Sequence, residues 1–375
     1  MFSFKSTLFT LFGLLLFGFS NLEAQSNEVL HQIAAQYQST YNVPGLAIAL
    51  VRSDTFFLGV SGTKQIEKEI PIDEQTPFHI GSNSKAFTAF LAAYLVERDL
   101  VSWSDKLMKV VPELNQPTYA AYNEVTLEHL LAHRSGLAPF ESSSSKEFRA
   151  LPKNLGELEN SRLRFAQVAL SFPPDFGEGT HVYSNAGYVL AALMLERATS
   201  STFEDLLLEL GQQLKLNFHF GFPNDEAGLN MLGHRKRWVG RSYRSLAPNN
   251  RHAVPSYFAP AGDLAINLDD LAIWVQFHLR GLSGENIFLK PESYEKLHYG
   301  LPDYGLGWYN GKIGAGPERF SYHGGSLGTF SSAIMLSAER NTGIVILVNA
   351  ESKHVGRLKE KLRVELWDRF GQPSK

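Results

Sequence analysis

The sequence predicts an α+β protein: an antiparallel β-sheet flanked by helices, with a mostly helical domain inserted between the two halves of the sheet. Three observations carry that expectation. Two β-rich runs joined by a polar pair lie near the start of the chain, two more lie near its end, and helical periodicity dominates the stretch between.

The elements follow in order. Residues 1–24 place Lys5 before an apolar run from Leu8 to Phe19, then polar Ser20 and Asn21 and small Ala24, the layout of a secretory signal segment. The run is shorter than the roughly 20 residues a spanning helix needs, and no later run approaches that length. Export to a periplasmic or extracellular location, with no transmembrane anchor after cleavage, is therefore expected. Val29, Leu30, Ile33, Ala34, Tyr37 and Tyr41 then recur at helical spacing. VPGLAIALVR (43–52) and TFFLGVSG (55–62) are β-rich runs divided by Ser53-Asp54, a hairpin signature.

The far end mirrors this, with strand-like runs at 330–337 and 343–349 and then an amphipathic helix marked by Val355, Leu358, Leu362, Leu366 and Phe370. Between the ends, helices are expected over 125–137, 161–172, 185–199, 203–214 and 268–281, interrupted by a serine-rich loop at 142–145 and by Pro173-Pro174. No repeat of 20–50 residues is present. Residues 25–98 and 255–375 should form the sheet domain, and 99–254 the mostly helical one.

Composition narrows the chemistry. A chain of 375 residues with 44% hydrophobic residues can bury a large core, and 35 basic against 38 acidic residues leave no basic field to attract nucleic acid. The absence of cysteine removes thiolate nucleophiles, cysteine-type zinc sites, iron–sulfur clusters, disulfides and an acylated N-terminal cysteine. Any nucleophile must be an oxygen or a nitrogen.

The spacing Ser-x-x-Lys is chemically meaningful because one helical turn places a lysine amine over a serine hydroxyl. It occurs three times, at Ser61/Lys64, Ser82/Lys85 and Ser143/Lys146. The first lies at a strand end before a charged turn and the third in the serine run, so both are expected in exposed loops. Ser82 follows Gly81, and Lys85 opens a helix that is apolar on nearly all sides and hence buried. Burial and the positive helix N-terminus should both lower the pKa of that lysine, leaving a neutral amine beside a serine. The alternative is an N-capping Ser82 with Lys85 exposed in the first turn. On this motif alone the two readings stand level.

Other candidates carry their own alternatives. Tyr183-Ser184-Asn185 opens an apolar helix; a tyrosine can relay protons and an asparagine can hold a carbonyl, but a packed tyrosine and a capping asparagine are commoner. In His323-Gly324-Gly325-Ser326, paired glycines permit close approach of another backbone, either as a plain turn or as a cleft edge with N–H groups for an oxyanion. Gly324 to Gly328 also fits G-x-S-x-G, a nucleophile elbow with Ser326 as nucleophile, His354 as base, and Glu339 or Glu351 as acid. The elbow needs strand, turn and helix, whereas the residues that follow suit strands. His129 and His133 stand at i and i+4 of one expected helix, as metal pairs do, but Leu130 occupies the place of a general-base glutamate. Arg235, Lys236, Arg237, Arg241 and Arg244, with Trp238 and Tyr243, read as a solvated face or cleft rim.

Taken together, FHIGSNSKAFTA (78–89), Tyr183-Ser184-Asn185 and His323-Gly324-Gly325 come in the order and spacing of a known family. The chain resembles the penicillin-recognising serine hydrolases, in the branch of class C β-lactamases, D-alanyl-D-alanine carboxypeptidases and D-aminopeptidases. Segments 43–50, 126–137, 260–272 and 304–308 look like the same branch, so the resemblance covers nearly all of the mature chain. It implies Ser82 as acylated nucleophile, Lys85 as its base, Tyr183 as a second proton-transfer residue, Asn185 as a substrate-amide contact, and the N–H groups of Ser82 and Ser326 as an oxyanion hole beside Gly325. It implies no metal and no organic cofactor. Where many members carry Lys-Thr-Gly this chain has His323-Gly324-Gly325, which should weaken recognition of a substrate carboxylate.

The expectation is thus a β-lactamase-related peptidase or esterase acting on a small-molecule or peptide substrate, such as a peptidoglycan-derived one or an ester, with no nucleic-acid partner. A β-lactamase or carboxypeptidase proper, and a non-catalytic protein binding peptidoglycan or a partner, are the alternatives.

Overall fold

The structure, a computed structural model, describes residues 27–371 except 115–118, 142–143, 153–154, 156–157, 176–180, 225–228, 238–241, 247–253 and 315. The expected signal segment, Ser143, Trp238 and Arg241 lie outside the described residues.

The two ends of the chain build one seven-stranded antiparallel sheet. Strands β1 (Gly45–Val51), β2 (Phe56–Gln65) and β3 (Ile70–Pro71) come from the start of the chain. Strands β9 (Tyr309–Lys312), β10 (Arg319–Ser326), β11 (Ser331–Ser337) and β12 (Thr342–Val348) come from its end, and the order is β3-β2-β1-β12-β11-β10-β9. β1 and β12 meet at the centre, with Ile48 opposite Ile346, and every residue of both is buried.

Side chains alternate across the sheet, so the apolar runs serve two cores. Leu46, Ile48, Leu50, Ile344 and Ile346 pack beneath helix α1 (27–41) and the C-terminal helix, which contributes Val355, Leu358, Leu362 and Leu366. Ala47, Ala49, Val51, Val345 and Leu347 belong to a larger core shared with the helices on the opposite face.

Those helices are α2 (Ser84–Val96), then α3 (Leu107–Val110), α4 (Leu127–Leu131), α5 (Lys146–Ala150), α6 (Leu158–Ala169), α7 (Asn185–Thr199) and α8 (Phe203–Leu214) from the middle segment. Next on that face come α9 (Ala259–Gly262), α10 (Leu268–Leu282) and α11 (Pro291–Tyr299), while the C-terminal helix of the first core is α12 (Lys353–Phe370). α7 and α8 occupy the expected ranges because each starts on a side-chain cap, Ser184 accepting from Gly187 N and Thr202 from Asp205 N.

The middle segment also contributes strands too short to show periodicity. β5 (Phe218–Phe220) pairs with β8 (Leu264–Ile266), which also holds β4 (Phe78–His79). β6 (His234–Lys236) lies between β7 (Tyr243–Ser245) and β13 (Ala350–Glu351). Arg235, Lys236 and Arg244 are exposed there, a solvated face.

Three expectations are corrected. Ser61 is not in a loop: it lies inside β2 opposite Leu46, where residues three apart face opposite sides, and Lys64 pairs with Asp73 instead. α4 ends at Leu131, and His133 has left-handed backbone (φ 58°), so His129 and His133 do not share a helix face. His129 closes a capping box with Thr126, and His133 Nδ1 accepts from Ser184 N at 3.1 Å. Ser326 ends β10 and is followed by β11, not a helix, so the strand–turn–helix of a nucleophile elbow is absent at this serine. His354 lies in α12 with its ring 4.9 Å from that of Tyr41, while Glu339 pairs with Arg319.

Candidate active site

Ser82 lies in a single 3-10 turn, Gly81–Asn83, that runs straight into α2. It is no cap: Asn83 holds the N-cap position of α2, and no side chain caps it. α2 is buried along most of its length, so the Lys85 side chain has no route to water and is fully buried. Its Nζ lies 3.1 Å from Ser82 Oγ, 2.7 Å from Asn185 Oδ1 and 2.5 Å from Ala261 O.

The partners determine what that amine can do. Asn185 Nδ2 donates to Phe140 O at 2.9 Å, which fixes the amide so that its oxygen faces Lys85. Asn185 Oδ1 and Ala261 O can only accept. A neutral amine has two N–H groups, both taken by these acceptors, and its lone pair is left for the Ser82 hydroxyl. Burial lowers the Lys85 pKa to about 7, against the opposing pull of the Glu141 carboxylate, so the neutral form is populated at physiological pH.

Tyr183 reaches the same hydroxyl. Burial pushes its phenol up, although a hydrogen bond with Ser82 acts the other way, and Lys85 Nζ lies 4.8 Å from the ring centroid. An amine held low and a phenol held high are a base and an acid facing one serine.

The family model described as Beta-lactamase matches residues 30–366. The chain belongs to the β-lactamase family. The relatives are distant. Protein flp of Staphylococcus aureus strain N315 is 24% identical over 356 residues, covering 92% of this chain and 68% of that protein. A beta-lactamase of Escherichia coli K12 is 26% identical over 373 residues, covering 89% and 91%. Among solved structures, an octameric penicillin-binding protein homologue from Pyrococcus abyssi superposes with a TM-score of 0.72 at 21% identity, covering 92% of this chain and 78% of its own. A structure titled SurE gives 0.75 at 20%, covering 94% and 78%, and these two likenesses concern the fold.

Every expected site residue of this β-lactamase-family chain is gathered at one cleft of about 960 Å³, lined by Ser82, Tyr183, Asn185, His323, Gly325 and Ser326 among others, with Lys85 bonded to two of them from beneath. β10 passes very close to the Ser82 turn. A methyl group at Gly325 would come within 1.8 Å of Ile80 O, and one at Gly81 within 2.7 Å of Ser326 N. Only glycine at both places lets β10 and its Ser326 amide pass this close to the turn that carries Ser82.

His323 supplies no charge. It is buried, its Nδ1 donates to Gly324 O at 2.9 Å, and Tyr304 OH donates to its Nε2 at 3.4 Å. Burial and the nearby Lys85 lower its pKa to about 3. The ring therefore stays neutral through the working pH range. Asn185 faces the cleft, and its amide is also engaged by Lys85 and Phe140.

Sequence reasoning missed Ala261, whose contribution is a backbone carbonyl and leaves no side-chain signal. It also missed Glu141, which lines the cleft, and His133, whose ring packs 4.2 Å from that of Tyr183 while its Nδ1 holds Ser184 N. The Ser-Asn pair that follows Tyr183 could have pointed to His133, because a segment with both ends in the site needs an anchor.

Proposed function

We propose that this protein is an exported serine hydrolase that cleaves an ester or amide through an acyl-enzyme on Ser82. The observation that supports it most is the fully buried Lys85 amine, whose Nζ lies 3.1 Å from Ser82 Oγ and within hydrogen-bond reach of two groups that can only accept, Asn185 Oδ1 and Ala261 O. Export rests on the layout of residues 1–24 alone.

In this reading Ser82 Oγ attacks the substrate carbonyl carbon as its proton passes to Lys85 Nζ. The carbonyl oxygen becomes an oxyanion facing the Ser82 and Ser326 amides. The Tyr183 phenol gives its proton to the departing alcohol or amine and regains one from the Lys85 ammonium. Water then enters, and the same groups hydrolyse the acyl-serine by the reverse transfers.

The charges at the cleft support a substrate without an essential carboxylate. Among the described lining residues the charged groups are Glu141, Glu351 and Lys359, two carboxylates against one ammonium, and Lys359 Nζ is engaged with Ser332 O at 3.1 Å. His323 is neutral where many relatives carry lysine. Short neutral esters and amino-acid amides fit this balance better than penicillins or a C-terminal D-alanine.

The test is turnover of p-nitrophenyl acetate, a panel of D-amino-acid amides and a chromogenic cephalosporin, side by side with Ser82→Ala. Ester or amide hydrolysis that exceeds cephalosporin hydrolysis and vanishes in the variant is expected. Turnover that survives in Ser82→Ala would end the proposal, and no turnover of any of them by the wild type would favour the binding-protein alternative.

A further inference from the structure

The turn that carries Ser82 is held by a buried pair that the mechanism above does not use. His79, on β4, and Asp263, just after α9, are 1% and 5% exposed. His79 Nε2 lies 3.1 Å from Asp263 Oδ1, and Gly81 N donates to His79 Nδ1 at 3.1 Å. These two contacts fix the tautomer: Nδ1 accepts, so the ring proton is on Nε2 and goes to the carboxylate. The ring is clamped between Phe222, with centroids 5.0 Å apart, and Phe330 at 6.1 Å.

What the pair grips is the residue before the nucleophile. Gly81 has φ 54°, a conformation its N–H must be held in place to keep. Its carbonyl is held as well, by Ser84 Oγ at 2.7 Å, and Ser84 Oγ in turn accepts from Leu264 N at 3.1 Å. The C=O and N–H of one trans peptide point in opposite directions. With Gly81 O pulled toward Ser84, the Ser82 N–H is turned away from Ser84, in a turn that β10 approaches closely enough for Ser326 N to lie 2.7 Å from where a Cβ of Gly81 would stand. The same short segment supplies Ala261 O to Lys85 and the Asp263 carboxylate to His79.

We propose that His79, oriented by Asp263, is a positioning residue that aims the Ser82 amide at the developing oxyanion. This rests on the acyl-enzyme reading above. It assigns His79 no proton transfer and no substrate contact, so its removal lowers kcat for acylation while KM stays put.

The two ring nitrogens can be replaced one at a time. In His79→Asn the amide oxygen takes the place of Nδ1 and can still accept from Gly81 N. In His79→Gln the terminal NH2 takes the place of Nε2 and keeps Asp263, but no acceptor faces Gly81. Loss of a well-aimed oxyanion donor costs on the order of 100-fold in kcat, so His79→Gln should lose roughly 30-fold or more and His79→Asn only about 3-fold, with KM little changed in both. Melting temperatures are measured alongside. Should His79→Gln fail to fold, Asp263→Asn, which keeps an acceptor for Nε2–H, is compared with Asp263→Ala, and the alanine variant should lose the more kcat.

Equal losses in His79→Asn and His79→Gln, or losses carried by KM, would overturn the positioning role while wild-type turnover leaves the acyl-enzyme reading intact. A wild type that is inactive and unlabelled at Ser82 would instead remove the reading on which this inference rests.

Discussion

Lys85 Nζ stands 2.7 Å from Asn185 Oδ1, closer than it stands to Ser82 Oγ at 3.1 Å. A lysine and a neutral amide are an informative pairing. The amide oxygen orients the amine without the negative charge that would keep it protonated, so the low Lys85 pKa survives its hydrogen bonds.

Asn185→Asp tests that relationship. A carboxylate in place of the amide favours the ammonium, and an opposite charge at this range raises a lysine pKa by about 1–3 units. The acid limb of kcat/KM should move up from near pH 7, with activity down roughly tenfold or more at pH 7 and recovering toward pH 9. A pH–rate profile of the variant with a limb in the wild-type position would contradict it.

Lys85→Met should reveal the same pKa as a stability effect. The folded pKa of about 7 lies below the ordinary lysine value, so between pH 7 and about 10 the unfolded chain carries a proton the folded one lacks. Stability of the wild type therefore rises with pH across this window, by about 1.4 kcal/mol per unit, and the penalty of burying the amine is full below pH 7. Denaturant titrations at pH 6 and 9 should show wild type gaining on Lys85→Met by a few kcal/mol. A difference independent of pH would show that the amine is charged in the fold.

The buried histidines predict acid lability. Burial lowers His278 and His323 to about 3, and His133 and His298 well below their ordinary value. Depressed folded pKa values mean that the unfolded chain binds these protons first, so stability falls as pH drops below about 6.5 and goes on falling toward 3. His323→Gln should remove up to about 1.4 kcal/mol per pH unit of that slope, read from unfolding at pH 7, 6 and 5, and leave the shape of the pH–rate profile from 5 to 9 unchanged. A profile that loses a limb in His323→Gln would reinstate the histidine as a titrating group.

Gly325→Ala should inactivate by steric displacement. The added methyl meets Ile80 O and the Ser332 hydroxyl, which lie 1.8 and 2.4 Å from its ideal position. β10 must then move away from the Ser82 turn, taking the Ser326 amide with it. Overpacking of this kind costs about 1–3 kcal/mol, while ester turnover should fall by about 100-fold or more as one oxyanion donor departs. Turnover within a few-fold of wild type would mean that Ser326 N is not part of the hole.

Much of the fold and of the site was legible in the chain because the signals were long or chemically unusual. β1 and β12 are continuous apolar runs, α7 and α8 begin on capping residues, and a lysine opening an otherwise apolar helix singles out Lys85 among three Ser-x-x-Lys matches. Three-residue strands such as β5 and β6 carry too few residues for any period. His133 was misplaced because nothing in LLAHRSGL marks the left-handed residue at which α4 has already ended. The Ala261 carbonyl and the His79–Asp263 pair are products of tertiary structure, joining positions 176 and 184 residues away from their partners.

The most direct measurement is the rate of covalent labelling by a fluorophosphonate as a function of pH, with the modified residue mapped by mass spectrometry. Labelling of Ser82 alone is predicted, with a rate constant that rises tenfold per pH unit below about 7 and levels off above it, and no labelling in Lys85→Met. An adduct on Ser326, or labelling of Ser82 at a rate flat from pH 5 to 9, would contradict a neutral Lys85 as the base.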